Sequence, residues 1–331
     1  MIAVKRTDLL LIAIIVVLGI MLYGSFCRKN NRGNTETTFR YCNPIIDSYL
    51  ADPFILKSNG YYYLFATGTA PDGRYIPIQR SSDLVHWEFV RGAVARGPEG
   101  SWNRKNFWAP EVMEIDGRFC LYYTASTEYT PKNTGNRVGL AVSDNPEGPY
   151  EDRGVVVPHA SLDGSPFRDT DGTLYLYYTI EHGNSDGLTA GHIYVDKLIS
   201  ADRVSGNPML LVSHHDWQEG PCVLLRDGRY YLTYSTGGWA SDNYQVHWAV
   251  GTSPTGFFKE QPQILLKSTA HVKGPGHHSF FIGPGGRDWI VYHGWDPEFT
   301  ARYPRIDPLL VSKNRLSTTG PTTTPQSIDV Q

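Results

Sequence analysis

The feature that most constrains the fold is a strand-like segment that occurs five times at nearly even spacing. Each copy opens on a glycine and continues as an aromatic-rich, alternating run, and the glycines stand 57, 55, 56 and 58 residues apart. The copies are GYYYLFAT, GRFCLYYT, GTLYLYYT, GRYYLTYS and GRDWIVYH, beginning at Gly60, Gly117, Gly172, Gly228 and Gly286. Turn-forming residues precede each glycine, which predicts a tight hairpin leading into a strand.

Further strand-like runs flank each copy, such as PFIL and EVMEI upstream and RSSDLVHWEFV and GHIYVDKLI downstream. Four strands in a unit of about 56 residues are typical of a propeller blade. A β-helix would have a far shorter period, and two β-sandwiches would not give one even interval. The sequence therefore predicts an all-β fold, a five-bladed β-propeller with four-stranded antiparallel blades, in a domain spanning residues 40–331.

The N-terminal segment differs from the rest of the chain. Lys5 and Arg6 precede an apolar run at residues 9–22 that extends to Phe26. This run is long for a signal peptide and slightly short of the roughly 20 residues of a spanning helix. We predict that residues 1–26 are a signal peptide or a membrane anchor and that residues 27–39 are a polar linker. Either alternative places the propeller outside the cytoplasm, secreted or anchored through residues 9–26.

Composition narrows the range of partners. The net charge of −3 gives no basic surplus, so no nucleic-acid partner is expected. The 21 Tyr, 13 Phe and 8 Trp suit strands and surfaces that stack on sugars. The four cysteines show no zinc-site spacing and are predicted to be free thiols.

The first strand of a propeller blade lines the axis, so its start faces the central pocket. Nine residues before the repeat glycine, blades 2 to 5 carry Trp108, Asp163, Glu219 and His277. Blade 1 has Ala51 there, and Asp52 follows one residue out of register. Carboxylates that converge on one pocket repel each other, so their pKa values must spread, with one raised enough to hold a proton near neutrality. An acid beside an ionised base is what glycosidic hydrolysis needs.

Each of these residues also has an ordinary structural explanation. An aspartate at a strand start is usually a turn or cap residue, and a tryptophan usually packs in the core. Recurrence of carboxylates at equivalent sites weakens that explanation for the aspartates. Glu111, six residues before its glycine, is expected to form a buried pair with an arginine or a backbone donor. His278 is expected to be a structural histidine.

Six short stretches, taken in order, resemble glycoside hydrolase family 43, the five-bladed propeller enzymes that act on arabinan and xylan side chains. They are ADPF at 51–54, WAPEV at 108–112, LDGSPF at 162–167, EGP at 219–221, GPGHHS at 274–279, and YHGWD…RYPRIDPL ending at Leu309. A single motif such as ADP is weak, but six at blade spacing are specific. The resemblance covers about residues 40–326.

The resemblance implies a catalytic role for each carboxylate. Asp52 would be the general base that activates water, and Glu219 the general acid that protonates the leaving oxygen. Asp163 would orient Glu219 and raise its pKa by like-charge proximity. Family members invert configuration, so base and acid should stand roughly 6.5–9.5 Å apart.

The resemblance also implies a set of substrate-binding residues, namely Phe54, Trp108, Glu111 and Arg302. Arg305 is an alternative to Arg302 as the sugar contact, because the basic residue that often follows the arginine in the family is displaced here. His277 matches a histidine near a calcium or other ion on the propeller axis. Imidazole is a poor calcium ligand, so water would mediate that contact. No organic cofactor is expected.

The expected activity is that of an inverting glycosidase on plant cell-wall polysaccharide side chains or oligosaccharides. Exo-acting α-L-arabinofuranosidase is favoured, because Arg302 and the aromatic residues suggest a closed pocket. β-Xylosidase and endo-arabinanase are alternatives within the family, and a carbohydrate-binding propeller without catalysis is an alternative of another class. The related retaining family of invertases is disfavoured, because Gly220 follows Glu219 where that family has a cysteine.

Overall fold

The computed structural model describes residues 38–131, 134–184, 187–212, 216–312 and 314–330. Within these ranges the chain forms 23 strands and one 3-10 turn, Pro284–Gly286. The innermost strands of the five blades contact their neighbours in a closed ring. The prediction of an all-β, five-bladed propeller with four-stranded antiparallel blades is confirmed.

Each blade is one continuous stretch of chain, with its strands ordered from the axis outward. Blade 1 comprises β2 (Ala51–Ser58), β3 (Tyr61–Thr67), β4 (Tyr75–Ser81) and β5 (Glu88–Val94). Blade 2 comprises β6 (Lys105–Ile115), β7 (Arg118–Ser126), β8 (Arg137–Ser143) and β9 (Glu151–Val155). Blade 3 comprises β10 (Ser161–Arg168), β11 (Leu174–Ile180), β12 (Ile193–Ser200) and β13 (Arg203–Val204), with β14 (Met209–Leu210) also paired to β12.

The last two blades follow the same order. Blade 4 comprises β15 (Gln218–Arg226), β16 (Arg229–Thr236), β17 (Gln245–Gly251) and β18 (Lys259–Glu260). Blade 5 comprises β19 (Lys273–Ile282), β20 (Asp288–Trp295), β21 (Arg302–Ser312) and β22 (Arg315–Thr318). The hydrophobic core lies between neighbouring blades. For example, Phe65 of blade 1 shares a buried cluster with Leu121 and Tyr123 of blade 2.

Two strands near the ends of the domain pair with each other. β1 (Thr38–Tyr41) runs antiparallel to β23 (Gln326–Asp329). The rings of Phe39 and Tyr41 lie 5.5 and 5.4 Å from the buried ring of Trp289 in blade 5. Both ends of the propeller are thereby attached to its last blade.

The predicted signal peptide or anchor at residues 1–26 lies outside the described residues, as does the predicted linker up to residue 37. The last two linker residues, Thr38 and Phe39, belong to β1. In the part of the chain that the structure describes, no helix has the length and apolar character needed to cross a membrane. Cys120 and Cys222 are buried free thiols, as predicted, and Cys27 lies outside the described ranges.

The innermost strand of every blade carries a bulge near its start. Pairing with the second strand skips two residues in each blade: Asp52-Pro53, Ala109-Pro110, Asp163-Gly164, Gly220-Pro221 and His277-His278. The first residue of each pair has a φ between 42° and 61°. Such a left-handed bulge re-aims a side chain out of the sheet, and for residues other than glycine it is strained. The three prolines fit the second position, where the ladder needs no N–H donor.

The bulge corrects the predicted register. Asp52 is equivalent to Asp163 and His277, whereas Trp108 and Glu219 each stand one residue before the bulge. The prediction that Asp52 is out of register is therefore wrong, and the cause is turn length. Blades 1, 2 and 4 have two-residue turns between their first strands. Blades 3 and 5 have longer connections, at 169–173 and 283–287, so their repeat glycines lie one residue farther from the bulge.

Hydrogen bonds between blades hold the bulges in place. The last residue of each repeat segment is a small hydroxyl residue or a histidine: Thr67, Thr124, Thr179, Ser235 and His293. The N–H groups of Ala109, Asp163 and His277 donate to the hydroxyl of the preceding blade at 2.8, 2.9 and 2.9 Å. The Asp52 N–H donates to His293 Nδ1 at 3.1 Å, which continues the ring from blade 5 to blade 1.

Blade 4 departs from this pattern. The N–H of Gly220 donates to Asp163 Oδ2 at 2.9 Å instead of to Thr179. The buried Thr179 hydroxyl has no hydrogen-bond partner among the described residues. The blade 4 bulge is therefore tied to a carboxylate rather than to a hydroxyl.

These threonines provide a matched test of the hydrogen-bonded ring. Thr124→Val leaves the buried Asp163 N–H without an acceptor, so we expect the free energy of unfolding to fall by about 1–3 kcal/mol. Thr179→Val removes a hydroxyl that has no partner among the described residues, so stability should be unchanged or higher. Urea unfolding followed by fluorescence measures both. Equal losses in the two variants would show that the ring does not stabilise the bulges.

Candidate active site

The bulges bring together three side chains that are distant in sequence, near the starts of the inner strands. His277 Nδ1 lies 3.6 Å from Asp52 Oδ1 and 3.8 Å from Asp163 Oδ2. Both carboxylates are buried. Because all three residues occupy the same left-handed position in blades 1, 3 and 5, the backbone itself aims them at one point. The structure thus brings Asp52, Asp163 and His277 together, as the repeat predicts.

Asp52 is surrounded by polar and cationic groups. Thr67 Oγ1 donates to Oδ2 at 2.6 Å, while Arg302 Nη1 and His293 Nδ1 lie 3.3 and 3.1 Å from Oδ1. Burial raises the pKa of Asp52, but the charges of His277 and Arg302 outweigh it and hold that pKa well below its usual range. Asp52 is therefore ionised at neutral pH.

Arg302 is enclosed by aromatic rings. Its guanidinium carbon lies 4.9 Å from the ring of Trp239 and 5.5 Å from those of Tyr49 and Trp295. Its Nη2 donates to the Tyr49 hydroxyl at 2.7 Å. Cation–π contacts of this kind fix a guanidinium without neutralising it. Of the two predicted alternatives, Arg302 lies beside Asp52, whereas Arg305 is buried elsewhere in blade 5.

Asp163 is the carboxyl of this cluster that holds its proton more tightly than usual. Burial raises its pKa to about 7, His277 opposes this, and the charges of Glu219 and Asp52 add to it. The predicted spread of pKa values is present, because the pKa of Asp52 is lowered while that of Asp163 is raised. Asp163 contacts blade 4 through the hydrogen bond from the Gly220 N–H.

Glu219, just before the bulge of blade 4, is oriented by two aromatic donors. Trp217 Nε1 donates to Oε2 at 2.8 Å, and the Tyr244 hydroxyl donates to Oε1 at 2.7 Å. The Tyr244 ring stacks on the His293 ring at 5.9 Å with 4° between the planes. Since His293 also contacts Asp52, a stacked pair of rings connects the two carboxylates.

Three predicted substrate-binding residues lie at different depths along the inner strands. Trp108 stands in the same layer as Glu219 and is half-buried. Phe54 and Glu111 lie beyond the bulge, one layer deeper, and Phe54 packs partly against the core between blades 1 and 2. Contact of these three residues with a sugar stays a prediction.

Glu111 is hydrogen-bonded to a serine, not to the arginine or backbone donor that was expected. Ser165 Oγ donates to Glu111 Oε2 at 2.8 Å, and no arginine of the described chain pairs with this carboxyl. The surrounding protein buries the carboxyl, and this burial raises the pKa of Glu111 to about 8. Glu111 is therefore largely protonated at neutral pH.

The two axial histidines differ in charge. Burial lowers the pKa of His278 to about 3, and its Nε2 lies 2.6 Å from Thr233 Oγ1, as expected of a structural histidine. Burial also lowers the pKa of His277, but the charges of Asp52, Asp163 and Glu219 outweigh it, so that the net shift is upward. His277 therefore favours the imidazolium form.

The described residues contain no group of three or more His, Cys, Asp or Glu side chains arranged to hold a metal ion. These residues do not fit an ion that is coordinated directly by the protein. An axial ion bound through water stays a prediction.

Several residues that position this site were not predicted from the sequence. Trp217, Trp239 and Tyr244 lie outside the repeat segments, so no periodic signal marks them. His293 does carry a signal, because it ends the fifth segment where the other four end in Thr or Ser.

Comparison with known proteins gives relatives along most of the chain. A β-D-galactofuranosidase of Aspergillus niger is 27% identical over 300 residues, which cover 84% of each protein. An extracellular endo-α-(1→5)-L-arabinanase of Thermotoga petrophila is 29% identical over 338 residues, covering 78% of this chain and 66% of the relative. An extracellular exo-α-(1→5)-L-arabinofuranosidase of Streptomyces chartreusis is 29% identical, covering 76% and 82%.

Solved structures show the same fold. A thermostable family-43 glycoside hydrolase superimposes with a TM-score of 0.77 at 30% identity, covering 86% of this chain and 98% of that one. An α-L-arabinofuranosidase from Lactobacillus brevis gives a TM-score of 0.70 at 25% identity, covering 86% and 95%. The family model of glycosyl hydrolases family 43 matches residues 41–328, which include all five blades. The chain therefore belongs to glycosyl hydrolases family 43 and is a glycosidase.

Proposed function

We propose that the protein is an inverting, exo-acting α-L-arabinofuranosidase for plant cell-wall polysaccharide side chains or derived oligosaccharides. Asp52 is its general base and Glu219 its general acid. The observation that carries the proposal is the different environment of the two carboxyl groups. Asp52 is kept ionised by cationic neighbours, whereas Glu219 is held by two aromatic donors.

In the proposed reaction, a water molecule attacks the anomeric carbon while the bond to the leaving oxygen breaks. Asp52 takes a proton from that water, and Glu219 gives its proton to the leaving oxygen. No covalent bond forms between sugar and protein, so one displacement inverts the anomeric configuration. A strongly depressed pKa keeps Asp52 ready as the base at neutral pH.

The hydrogen bonds of Glu219 determine where its proton resides. An indole N–H only donates, so Oε2 accepts from Trp217 in either protonation state. The acid proton therefore belongs on Oε1, beside the Tyr244 hydroxyl, which is able to donate or accept. Asp163 acts as a positioning residue, because its bond to the Gly220 N–H fixes the backbone next to Glu219.

Arg302, which is enclosed by aromatic rings, supports binding of a terminal sugar. Its guanidinium contacts Asp52 and carries further N–H donors suited to sugar hydroxyls. The rings of Tyr49, Trp239 and Trp295 close one side of the pocket, which favours removal of end residues. Two Streptomyces relatives are named as exo-arabinofuranosidases, in agreement with this assignment.

β-Xylosidase is the second candidate. A Humicola insolens relative, 27% identical over 264 residues, is named as a xylosidase/arabinosidase, and a Xylanibacter ruminicola relative is named as a β-xylosidase. The two pentoses present similar hydroxyl patterns to one pocket. Endo-arabinanase is a third alternative, because relatives in Thermotoga petrophila and Bacillus subtilis carry that name.

We also propose that the enzyme acts outside the cytoplasm. Relatives in Thermotoga petrophila, Bacillus subtilis and Streptomyces avermitilis are named extracellular. Residues 1–26 would serve as the signal peptide or anchor. The carbohydrate substrate is the proposed partner, and an axial ion would act through water beside His277.

The substrate assignment predicts a preference between two simple glycosides. The purified protein should hydrolyse 4-nitrophenyl α-L-arabinofuranoside with a higher kcat/KM than 4-nitrophenyl β-D-xyloside, measured by nitrophenol release. A preference for the xyloside would make β-xylosidase the function. No turnover of either, with sugar binding retained, would point to a binding propeller.

The acid assignment predicts a dependence on the leaving group. Glu219→Ala should lower kcat/KM by about 10²–10⁴-fold for oligosaccharides, whose leaving oxygen needs a proton, and far less for a dinitrophenyl glycoside, whose leaving group does not. Glu114→Ala, which removes an exposed glutamate of blade 2, is the control and should leave both rates unchanged. Equal loss on both substrates in Glu219→Ala would argue against an acid role.

A further inference from the structure

A second depression lies on the catalytic face, over blades 2 and 3. It has a volume of about 490 Å³, within the range of roughly 300–1,000 Å³ typical of small-molecule sites. Its lining includes Trp102, Ser126, Thr127, Thr130, Arg137 and Gly183. Ser126 ends the second strand of blade 2, at the same end of the sheet as the start of β6, so this blade 2 depression and the active site open on one face.

Trp102 forms a fixed wall of the depression. Its Nε1 donates to both carboxylate oxygens of Asp152, at 3.2 and 3.1 Å, and its ring lies 5.1 Å from that of Tyr123. A Cβ at Gly139 would lie 2.2 Å from the indole, so the absence of a side chain there makes room for the ring. The half-buried indole is therefore held in place before any ligand arrives, which lowers the entropy cost of binding.

The rest of the depression is lined by neutral polar groups and one cation. The hydroxyls of Thr127 and Thr130 lie 2.8 Å apart, and Ser126 accepts a hydrogen bond from Asn106 at 3.2 Å. Arg137 Nη1 donates to the Asn136 carbonyl at 2.9 Å. The described lining contains no carboxylate. An aromatic face together with hydroxyl and guanidinium groups suits a sugar, which has apolar ring faces and hydroxyls at its edges.

Contacts connect the depression to the acid side of the active site. Thr134, which also lines it, forms a parallel bridge with His182. The His182 ring lies 5.3 Å from that of Trp217, whose N–H holds Glu219. The aromatic cage of Arg302 consists instead of Trp239 from blade 4, Trp295 from blade 5 and Tyr49, which precedes blade 1. The depression and the cage therefore lie on different sides of the axis.

We propose that the blade 2 depression is a distal aglycone subsite, where a glycosyl unit of the leaving group stacks on Trp102. The inference rests on the proposed function, because the general acid must stand beside the leaving oxygen. With the terminal sugar at Arg302, the rest of an oligosaccharide extends past Glu219 toward blades 2 and 3. The enzyme is then selective for oligosaccharides over glycosides whose leaving group is too short to reach Trp102.

The test compares kcat/KM on a 4-nitrophenyl glycoside with kcat/KM on an oligosaccharide of five units of the same sugar. Trp102→Ala should lower the oligosaccharide value about tenfold, equivalent to ~1.4 kcal/mol, and leave the nitrophenyl value unchanged. Val155→Arg, at the exposed rim, should do the same by filling the depression. Phe257→Ala removes a fully exposed aromatic of blade 4 and should change neither value.

An unchanged rate on the nitrophenyl glycoside shows that a variant is folded. If Trp102→Ala is misfolded, Val155→Arg provides the test instead. The subsite is overturned if Val155→Arg lowers both rates in parallel, or if neither variant lowers the oligosaccharide rate. If the wild-type protein cleaves neither substrate, the proposed function fails, and calorimetric titration with the oligosaccharide decides the subsite. Binding about tenfold weaker in Trp102→Ala supports it, whereas equal affinity or no wild-type binding overturns it.

Discussion

The structure of the site depends on the left-handed bulge at the start of each inner strand. A positive φ at a residue other than glycine costs about 1–3 kcal/mol, yet four of the five blades adopt it there. Hydrogen bonds from the bulge N–H groups to the neighbouring blade offset that cost. Because of this backbone conformation, the side chains of Asp52, Asp163 and His277 project out of their sheets and approach each other near the axis.

The charges crowded at this point shift the pKa values of the two aspartates in opposite directions. Asp52 lies nearest the cations His277 and Arg302, and its pKa is lowered despite burial. Asp163 has His277 as its cationic neighbour but also the charges of Glu219 and Asp52 against it, so its pKa rises. The balance between desolvation and local charge thus lowers the pKa of Asp52 and raises that of Asp163, although the two residues occupy equivalent backbone positions.

The fold was largely predictable, because the five aromatic segments repeat both their pattern and their spacing. The register of the inner strands was not, since the glycine used as a reference sits in a longer connection in blades 3 and 5. Asp52, Asp163, Glu219, His277 and Arg302 were found because they lie on strands in recognisable motifs. Trp217, Trp239 and Tyr244 were not, because loops carry no periodic signal and their contacts form only after the blades assemble.

The proposed role of Asp52 as a base toward water, rather than as a nucleophile, is tested most directly by the stereochemistry of the first product. Proton NMR during the early hydrolysis of an α-L-arabinofuranoside distinguishes the anomers before they equilibrate. A single displacement gives β-L-arabinofuranose first. Initial release of the α-anomer would mean that a carboxylate of the site forms a covalent intermediate, which contradicts the assignment of Asp52.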